Sequence, residues 1–173
     1  SYTDAAGNAG PAATTANYTV DTRAPTPLAA TVSDVAFKIG DTATVTLVFS
    51  EAVIGFSSGD DITVANGSLS TMSSSDNITW TGTFTPSTNT EDATNTASLG
   101  TSYTDVAGNA GPGGTSANYT VDTRAPTVSS FALSDVALKT GDTATVTLVF
   151  SEAATAFSSG DDITVANGSL STM

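Results

Sequence analysis

Gly40-Asp41-Thr42-Ala43-Thr44-Val45-Thr46-Leu47-Val48-Phe49-Ser50-Glu51-Ala52 alternates apolar and polar side chains through its middle. Ala43, Val45, Leu47 and Phe49 fall on one side of an extended backbone. Thr42, Thr44 and Thr46 fall on the other, and only Val48 breaks the polar side. Alternation with period two, carried by β-branched residues, marks a strand with one buried face. The same stretch returns unchanged from Gly141 to Ala153, and Phe56–Met72 returns unchanged as Phe157–Met173. Shifted by about 101 residues, Ser1–Met72 lies on Ser102–Met173 without a gap, with about 57 of 72 positions identical. A period near 100 is too long for a solenoid unit and fits whole domains in tandem. Serial copying multiplies length or valency, which an active site rarely needs, so the repetition points to a spacer or a multivalent binder.

The alternation recurs at Ile62 and Val64, at Ile78, Trp80 and Phe84, at Ala97, Leu99 and Tyr103, and at Ala117, Tyr119 and Val121. Turn-forming residues such as Ser33-Asp34, Gly40-Asp41, Asn66-Gly67 and Gly108-Asn109 separate the runs. No segment carries a helical period. The pattern predicts strands over 28–37, 42–50, 61–66, 68–73, 78–85, 96–105 and 115–123. Seven short antiparallel strands in about 100 residues describe an all-β, immunoglobulin-like antiparallel β-sandwich, here in tandem. Trp80 is expected between the sheets with Val45, Leu47, Phe49, Tyr103 and Tyr119. Residues 1–20 read as the C-terminal strands of a preceding module, 21–122 as a complete module, and 123–173 as the N-terminal half of a following one. A half-sandwich exposes its inner face and open edges and is not expected to fold alone. The simplest expectation is an excerpt of a longer array. Completion by neighbouring chains would still leave about 29 residues (202 minus 173) unsupplied.

Composition narrows the function. The chain is 39% hydrophobic but only 12% charged, so its polar surface is built from Thr, Ser, Asn and Gly. With no Cys there is no disulfide to pin a sandwich, and with no His there is neither a His-activated nucleophile nor a His metal ligand. Seventeen acidic residues against four basic ones give a net charge of −13. That charge opposes nucleic acid and anionic membranes as partners and favours divalent cations. No stretch resembles a signal peptide or a membrane span.

If successive strands run alternately down and up, one pole collects the leading linker, the loop after 42–50 and the loop after 96–105. Those segments carry Asp21, Glu51 and Asp105, and Asp60 and Asp61 begin the next strand at the same pole. The opposite pole gathers Asp34, Asp41, Glu91 and Asp92, and abuts the next module across the linker containing Asp122. Carboxylates brought within a few ångströms repel one another unless a cation lies between them. Calcium takes six to eight oxygen ligands in flexible geometry, whereas zinc or copper finds little support without Cys or His. The candidate metal ligands are therefore Asp21 and its repeat Asp122, Glu51 and Glu152, and Asp4 and Asp105. The plain alternative is that Asp residues form turns, which is the reading for Asp34, Asp41 and Asp76. Gly108 is expected in a left-handed turn, with Asn109 either a turn residue or a ligand.

Val-Asp-Thr-Arg-Ala-Pro-Thr from Val20, Ser-Asp-Val-Ala-Phe-Lys-Ile-Gly-Asp-Thr-Ala-Thr-Val-Thr from Ser33, Phe-Ser-Glu-Ala from Phe49 and Tyr-Thr-Asp-Val-Ala-Gly-Asn from Tyr103 carry a resemblance. The chain resembles, over essentially its whole length, the bacterial Ig-like repeats in the extender regions of giant calcium-dependent RTX adhesins, which are exported by type I secretion. The resemblance implies an extracellular or cell-surface location and calcium at the joints between modules, held by the linker Asp and the pole loops. It carries over to Asp21, Asp122, Glu51, Glu152, Asp4 and Asp105. The leading expectation is a structural extender of an adhesin or extracellular filament. Its partners are neighbouring modules of the same chain, with possible self-assembly into fibres and no membrane insertion. The alternative is a module that binds glycan, host protein or ice, for which one Trp and four Tyr supply few aromatic platforms. An enzyme is not expected. Glu51 and Asp105 as a glycosidase pair would be at odds with tandem duplication of the whole unit.

Overall fold

The computed structural model describes residues 1–173. In chain order its elements are β1 (Pro27–Val32), β2 (Ala36–Phe37), β3 (Ala43–Phe49), β4 (Val53–Ile54), the single-turn helix α1 (Ser58–Asp61), β5 (Ile62–Val64) and β6 (Gly67–Leu69). They continue with β7 (Thr79–Pro86), β8 (Glu91–Asn95), β9 (Ala97–Leu99), β10 (Thr104–Asp105), β11 (Gly114–Thr115) and β12 (Tyr119–Asp122). Then follow β13 (Val128–Leu133), β14 (Val146–Phe150) and a second single-turn helix, α2 (Ser159–Asp162). No helix is long and apolar enough to cross a membrane.

One sheet runs in the order β1-β3-β7-β6, antiparallel throughout. The ladders β11-β9-β5, β2-β12-β8 and β10-β4 supply the other side of the sandwich. β3 sends Ala43, Leu47 and Phe49 into the core and turns Thr44 outward, as its alternation predicts. On β7, Trp80 stands opposite Leu47 and Phe84 opposite Ala43, so both share that inner face. The interior divides into two clusters, Leu47, Phe49, Val53, Phe56, Met72 and Tyr103 in one, and Phe37, Ala43, Phe84, Tyr119 and Val121 in the other. Val45 and Leu69 pack against both. Trp80 packs on the first cluster, its ring centroid 4.8 Å from that of Phe56. The expected grouping of Trp80 with Tyr119 is therefore corrected, because Tyr119 lies across the core against Phe37 and Phe84.

Three further expectations are corrected. The strand predicted over 28–37 is broken, with β1 in one sheet and β2 pairing parallel with β12 in the other, Ala36 opposite Thr120 and Phe37 opposite Val121. The crossing is built at Ser33-Asp34, where Asp34 Oδ1 accepts the Ala36 N–H at 3.0 Å and Ser33 Oγ accepts the Thr44 N–H at 2.9 Å. The sandwich is thus not wholly antiparallel. Glu91 and Asp92, read as loop residues, lie on β8 opposite Asp122 and Val121. The predicted strand start at Asp61 is the end of α1, whose first turn is tied by Asp61 Oδ2 accepting the Ser57 N–H at 2.9 Å.

Beyond Asp122 the chain begins the same construction again. β13 and β14 pair with Val128 opposite Phe150 and Phe131 opposite Leu148, as β1 and β3 pair with Pro27 opposite Phe49 and Ala30 opposite Leu47. Phe150 and Phe157 meet at 5.4 Å as Phe49 and Phe56 meet at 5.6 Å. The N-terminal segment shows the other end of the pattern. Thr3 bridges Ala9 as Thr104 bridges Ala110, and the Tyr2 hydroxyl donates to Pro11 O at 3.2 Å as Tyr103 donates to Pro112 O at 2.7 Å.

Candidate cation site at one pole of the sandwich

Three segments meet where β3 ends. Glu51 lies two residues past the end of β3, Asp105 closes β10, and Asp21 lies on the linker ahead of β1. Ser50 fastens the linker to the end of β3: its N–H donates to Thr26 O and its Oγ accepts the Thr26 N–H, both at 2.9 Å. Pro25, buried just before this clamp, fixes the backbone angle of the approach. β10 is held beside the same corner by its pairing with β4, Asp105 opposite Val53.

Asn109 joins the third segment to the first. Its Nδ2 donates to Asp105 Oδ2 at 2.7 Å and reaches Asp21 O at 3.3 Å and Arg23 O at 3.4 Å. Its backbone N–H donates to Asp105 Oδ1 at 2.8 Å. Gly108 stands before it in the left-handed region at φ 92°, which closes the loop so that its own N–H donates to Asp105 O at 3.2 Å. Asn109 thus donates hydrogen bonds that tie the loop after β10 to the linker.

The outcome is a carboxylate trio. One oxygen each from Asp21, Glu51 and Asp105 lies within 4.8 Å of the others, with Asp21 exposed, Glu51 half-buried and Asp105 buried. No lysine or arginine pairs with any of them; the chain's ion pairs are Lys38–Asp41 at 3.8 Å and Arg124–Glu91 at 3.9 Å. Burial pushes the Asp105 carboxyl upward, but the hydrogen bonds from the Asn109 side chain and the amides of Asn109, Gly108 and Ala107 outweigh it and hold the pKa below the usual 3.8. An all-oxygen, anionic donor set without a protein cation is of the kind that hard divalent ions take.

The other sequence-predicted ligands form no such trio. Asp122 Oδ1 accepts the Arg124 N–H at 3.3 Å, and Glu152 is half-buried beyond β14. The residue that would correspond to Asp105 for that pair is not among the 173. Asp4 is exposed and binds Asn8 through its N–H at 2.9 Å and its Nδ2 at 2.8 Å, repeating the Asp105–Asn109 contact without its neighbours. Asp61 is buried and engaged by Ser57 and Ser102, outside the trio. Ser50 and Asn109 are the residues sequence reasoning undervalued. The signal for Asn109 was its place four residues after Asp105, repeated as Asn8 after Asp4.

The family model described as bacterial Ig-like domain matches residues 21–121 and again 122–173. The chain belongs to the bacterial Ig-like domain family. Neither a curated protein nor a solved structure matches it.

Carboxylates held below their ordinary pKa make the fold sensitive to acid. The Thr79 and Ile78 amides and the Ser74 hydroxyl lower Asp76. The Thr94 amide lowers Asp92 despite its desolvation, with help from the Thr94 and Asn66 side chains. A group lowered on folding contributes stability in full above its unfolded value, here 3.8, and loses it as pH falls through the lower folded value. With chelator present, the urea midpoint should therefore hold from neutral pH down to about that value and fall below it. Asp76→Asn should flatten the acid limb, and an unchanged limb would refute the assignment.

Proposed function

We propose that the chain is part of a structural extender of a bacterial cell-surface adhesin or extracellular filament, whose Ig-like modules are stiffened by calcium at their poles. The observation that carries this reading is the convergence of Asp21, Glu51 and Asp105 on one pole without any basic residue to neutralise them. Asp21 belongs to the linker, whereas Glu51 and Asp105 belong to the sandwich. An ion held by all three fixes the linker's direction relative to the module. Its chemistry is charge neutralisation and bridging; the protein groups do the rest. Ser50 clamps Thr26, Asn109 aims Asp105 and holds the linker carbonyls, and Pro25 and Pro27 restrict the intervening backbone. A surface of Thr, Ser and Asn with few charges suits a passive rod. Tandem repetition serves length directly. The inward packing of Trp80 on Phe56 takes away the one indole that a sugar-stacking surface would use.

Calcium titrated into the full chain by calorimetry should bind at the trio with a dissociation constant of about 10⁻⁴–10⁻³ M, the range of extracellular modules. Glu51→Gln should abolish that binding while leaving the far-ultraviolet circular dichroism unchanged. In an array of complete modules, small-angle scattering should change from an extended rod to a more compact, flexible chain when chelator is added. Asp122→Ala should weaken that change at its joint. Binding that survives Glu51→Gln, or identical scattering in calcium and chelator, would overturn the reading.

A further inference from the structure

Asn-Gly occurs twice in the chain, at Asn66-Gly67 between β5 and β6 and at its repeat, Asn167-Gly168. The fold demands the pair. Asn66 lies in the left-handed region at φ 47° and Asn167 at φ 57°, a conformation Asn tolerates better than most residues. A Cβ on Gly67 would stand 2.3 Å from the Phe84 ring and 2.8 Å from Thr85 O, so no side chain fits there. Asn followed by Gly is also the sequence in which the next backbone nitrogen most easily reaches the side-chain carbonyl carbon, because no side chain shields that nitrogen.

The two copies differ in what holds the carboxamide, because the residues that would answer Asp92 and Asn95 for Asn167 are not among the 173. Asn66 Nδ2 donates to Asp92 Oδ2 at 2.8 Å and to Asn95 Oδ1 at 2.6 Å. Asn95 is itself buried and anchored, its Nδ2 donating to Asp92 O at 2.9 Å and Tyr119 O at 3.2 Å, its N–H to Asn118 Oδ1 at 2.9 Å. The Asn66 backbone is tied as well, its C=O accepting the Ser87 N–H at 2.8 Å. Asn167 is exposed, and a Cβ on Gly168 would meet nothing closer than Val165 Cγ1 at 3.5 Å.

We propose that Asn66 is a spontaneous deamidation site gated by folding. It is protected while β8 presents Asp92 and Asn95, and converted irreversibly whenever β8 is out of place. The Gly67 nitrogen attacks Asn66 Cγ and forms the new C–N bond of a five-membered imide. The Cγ–Nδ2 bond breaks, and nitrogen leaves as ammonia with the proton given up by the Gly67 N–H. Water then opens the ring at either carbonyl to give aspartate or isoaspartate, with no oxidant or reductant involved. In the folded module the two hydrogen bonds from Nδ2 pin the carboxamide and oppose its rotation toward the Gly67 nitrogen. Once formed, the product does not fit back. A carboxylate at position 66 has no proton to offer and would face the Asp92 carboxylate and the Asn95 carbonyl oxygen, leaving a buried acceptor unpaired beside a like charge. The reaction therefore marks, one way, a module that has lingered unfolded. A chain of nearly identical repeats has that need, because its strands can pair with the wrong neighbour.

The test is peptide mapping by mass spectrometry of the full chain held at mildly alkaline pH, following the amide-to-acid mass change at both sites over time. In the native protein Asn167 should convert ahead of Asn66 by at least about tenfold, since reaction at Asn66 waits for local opening. In urea the two rates should converge. Asp92→Ala should speed conversion at Asn66 and leave the Asn167 rate unchanged. Asn66→Asp, made directly, should lower the melting temperature. Equal native rates at the two sites, a gap that persists in urea, or an Asn66→Asp chain as stable as the parent would each overturn the proposal.

Discussion

Tyr103→Ala should cost the sandwich about 3–5 kcal/mol, the range for deleting a core aromatic. Native domains have only about 5–15 kcal/mol to lose. Tyr103 has no exposed surface at all, and its ring centroid lies 4.8 Å from that of Phe49 and 6.4 Å from that of Phe56. The ring also covers Gly111 so closely that a Cβ there would fall 2.0 Å from a ring carbon. Its hydroxyl donates to Pro112 O at 2.7 Å, which closes the loop carrying Asp105 and Asn109. Truncation removes both the packing and the brace of the candidate site. Tyr103→Phe separates them, since it loses only the hydrogen bond, worth about 0.5–1.5 kcal/mol. The N-terminal copy is the control: Tyr2 makes the same bond to Pro11 but is 64% exposed, so Tyr2→Ala should leave the unfolding midpoint unchanged. Urea unfolding followed by Trp80 fluorescence reads all three variants. A Tyr103→Ala loss below about 1 kcal/mol, inside the ordinary spread for surface changes, would contradict the assigned core.

What the sequence disclosed and what it hid divide along the source of the signal. Thr42–Ser50 alternates because one face is buried, and the structure buries Ala43, Leu47 and Phe49 there. The meeting of Asp21, Glu51 and Asp105 followed from counting strand reversals, which needs only strand number and not side-chain detail. β2 was hidden because two residues, Ala36 and Phe37, cannot show a period. β8 was hidden for another reason: Glu91-Asp92-Ala93-Thr94-Asn95 reads as a polar loop. It is a strand whose buried residue is Asn95, satisfied by hydrogen bonds to Asn66, Asp92 and Tyr119 instead of by apolar contact. Hydrophobic patterning is blind to a polar core residue of this kind. Partners such as Asn66 and Asn95, 29 residues apart, leave no local trace.

Ala30→Phe should stabilise the sandwich of residues 27–122 by covering an open apolar cleft beside β1, where Ala30 itself is exposed. A cleft of about 200 Å³, open to solvent on one side, lies between β1 and the opposite sheet, lined by Ala30, Val32, Phe37, Leu47, Leu99 and Tyr119 among others. Ala30 faces it, standing opposite the buried Leu47 on β3. The repeat places Phe131 at the same position, opposite Leu148 in the same register. The two copies also exchange Phe37 for Leu138, so part of the volume missing at Ala30 is restored by the larger Phe37. The cleft that remains beside Phe37 shows that the exchange is incomplete. A phenyl group in this open cleft is only partly buried, so it should contribute less than the roughly 1.5–3 kcal/mol of full burial, minus the cost of fixing its rotamer. If Phe37 already claims the space, overpacking would instead cost about 1–3 kcal/mol. Urea unfolding of Ala30→Phe decides the sign. The double variant Ala30→Phe, Phe37→Leu rebuilds the pair found in the repeat. Its effect should differ from the sum of the single changes, because both side chains border one cleft. A destabilised single variant with strictly additive energetics would show that Ala30 and Phe37 do not share that space.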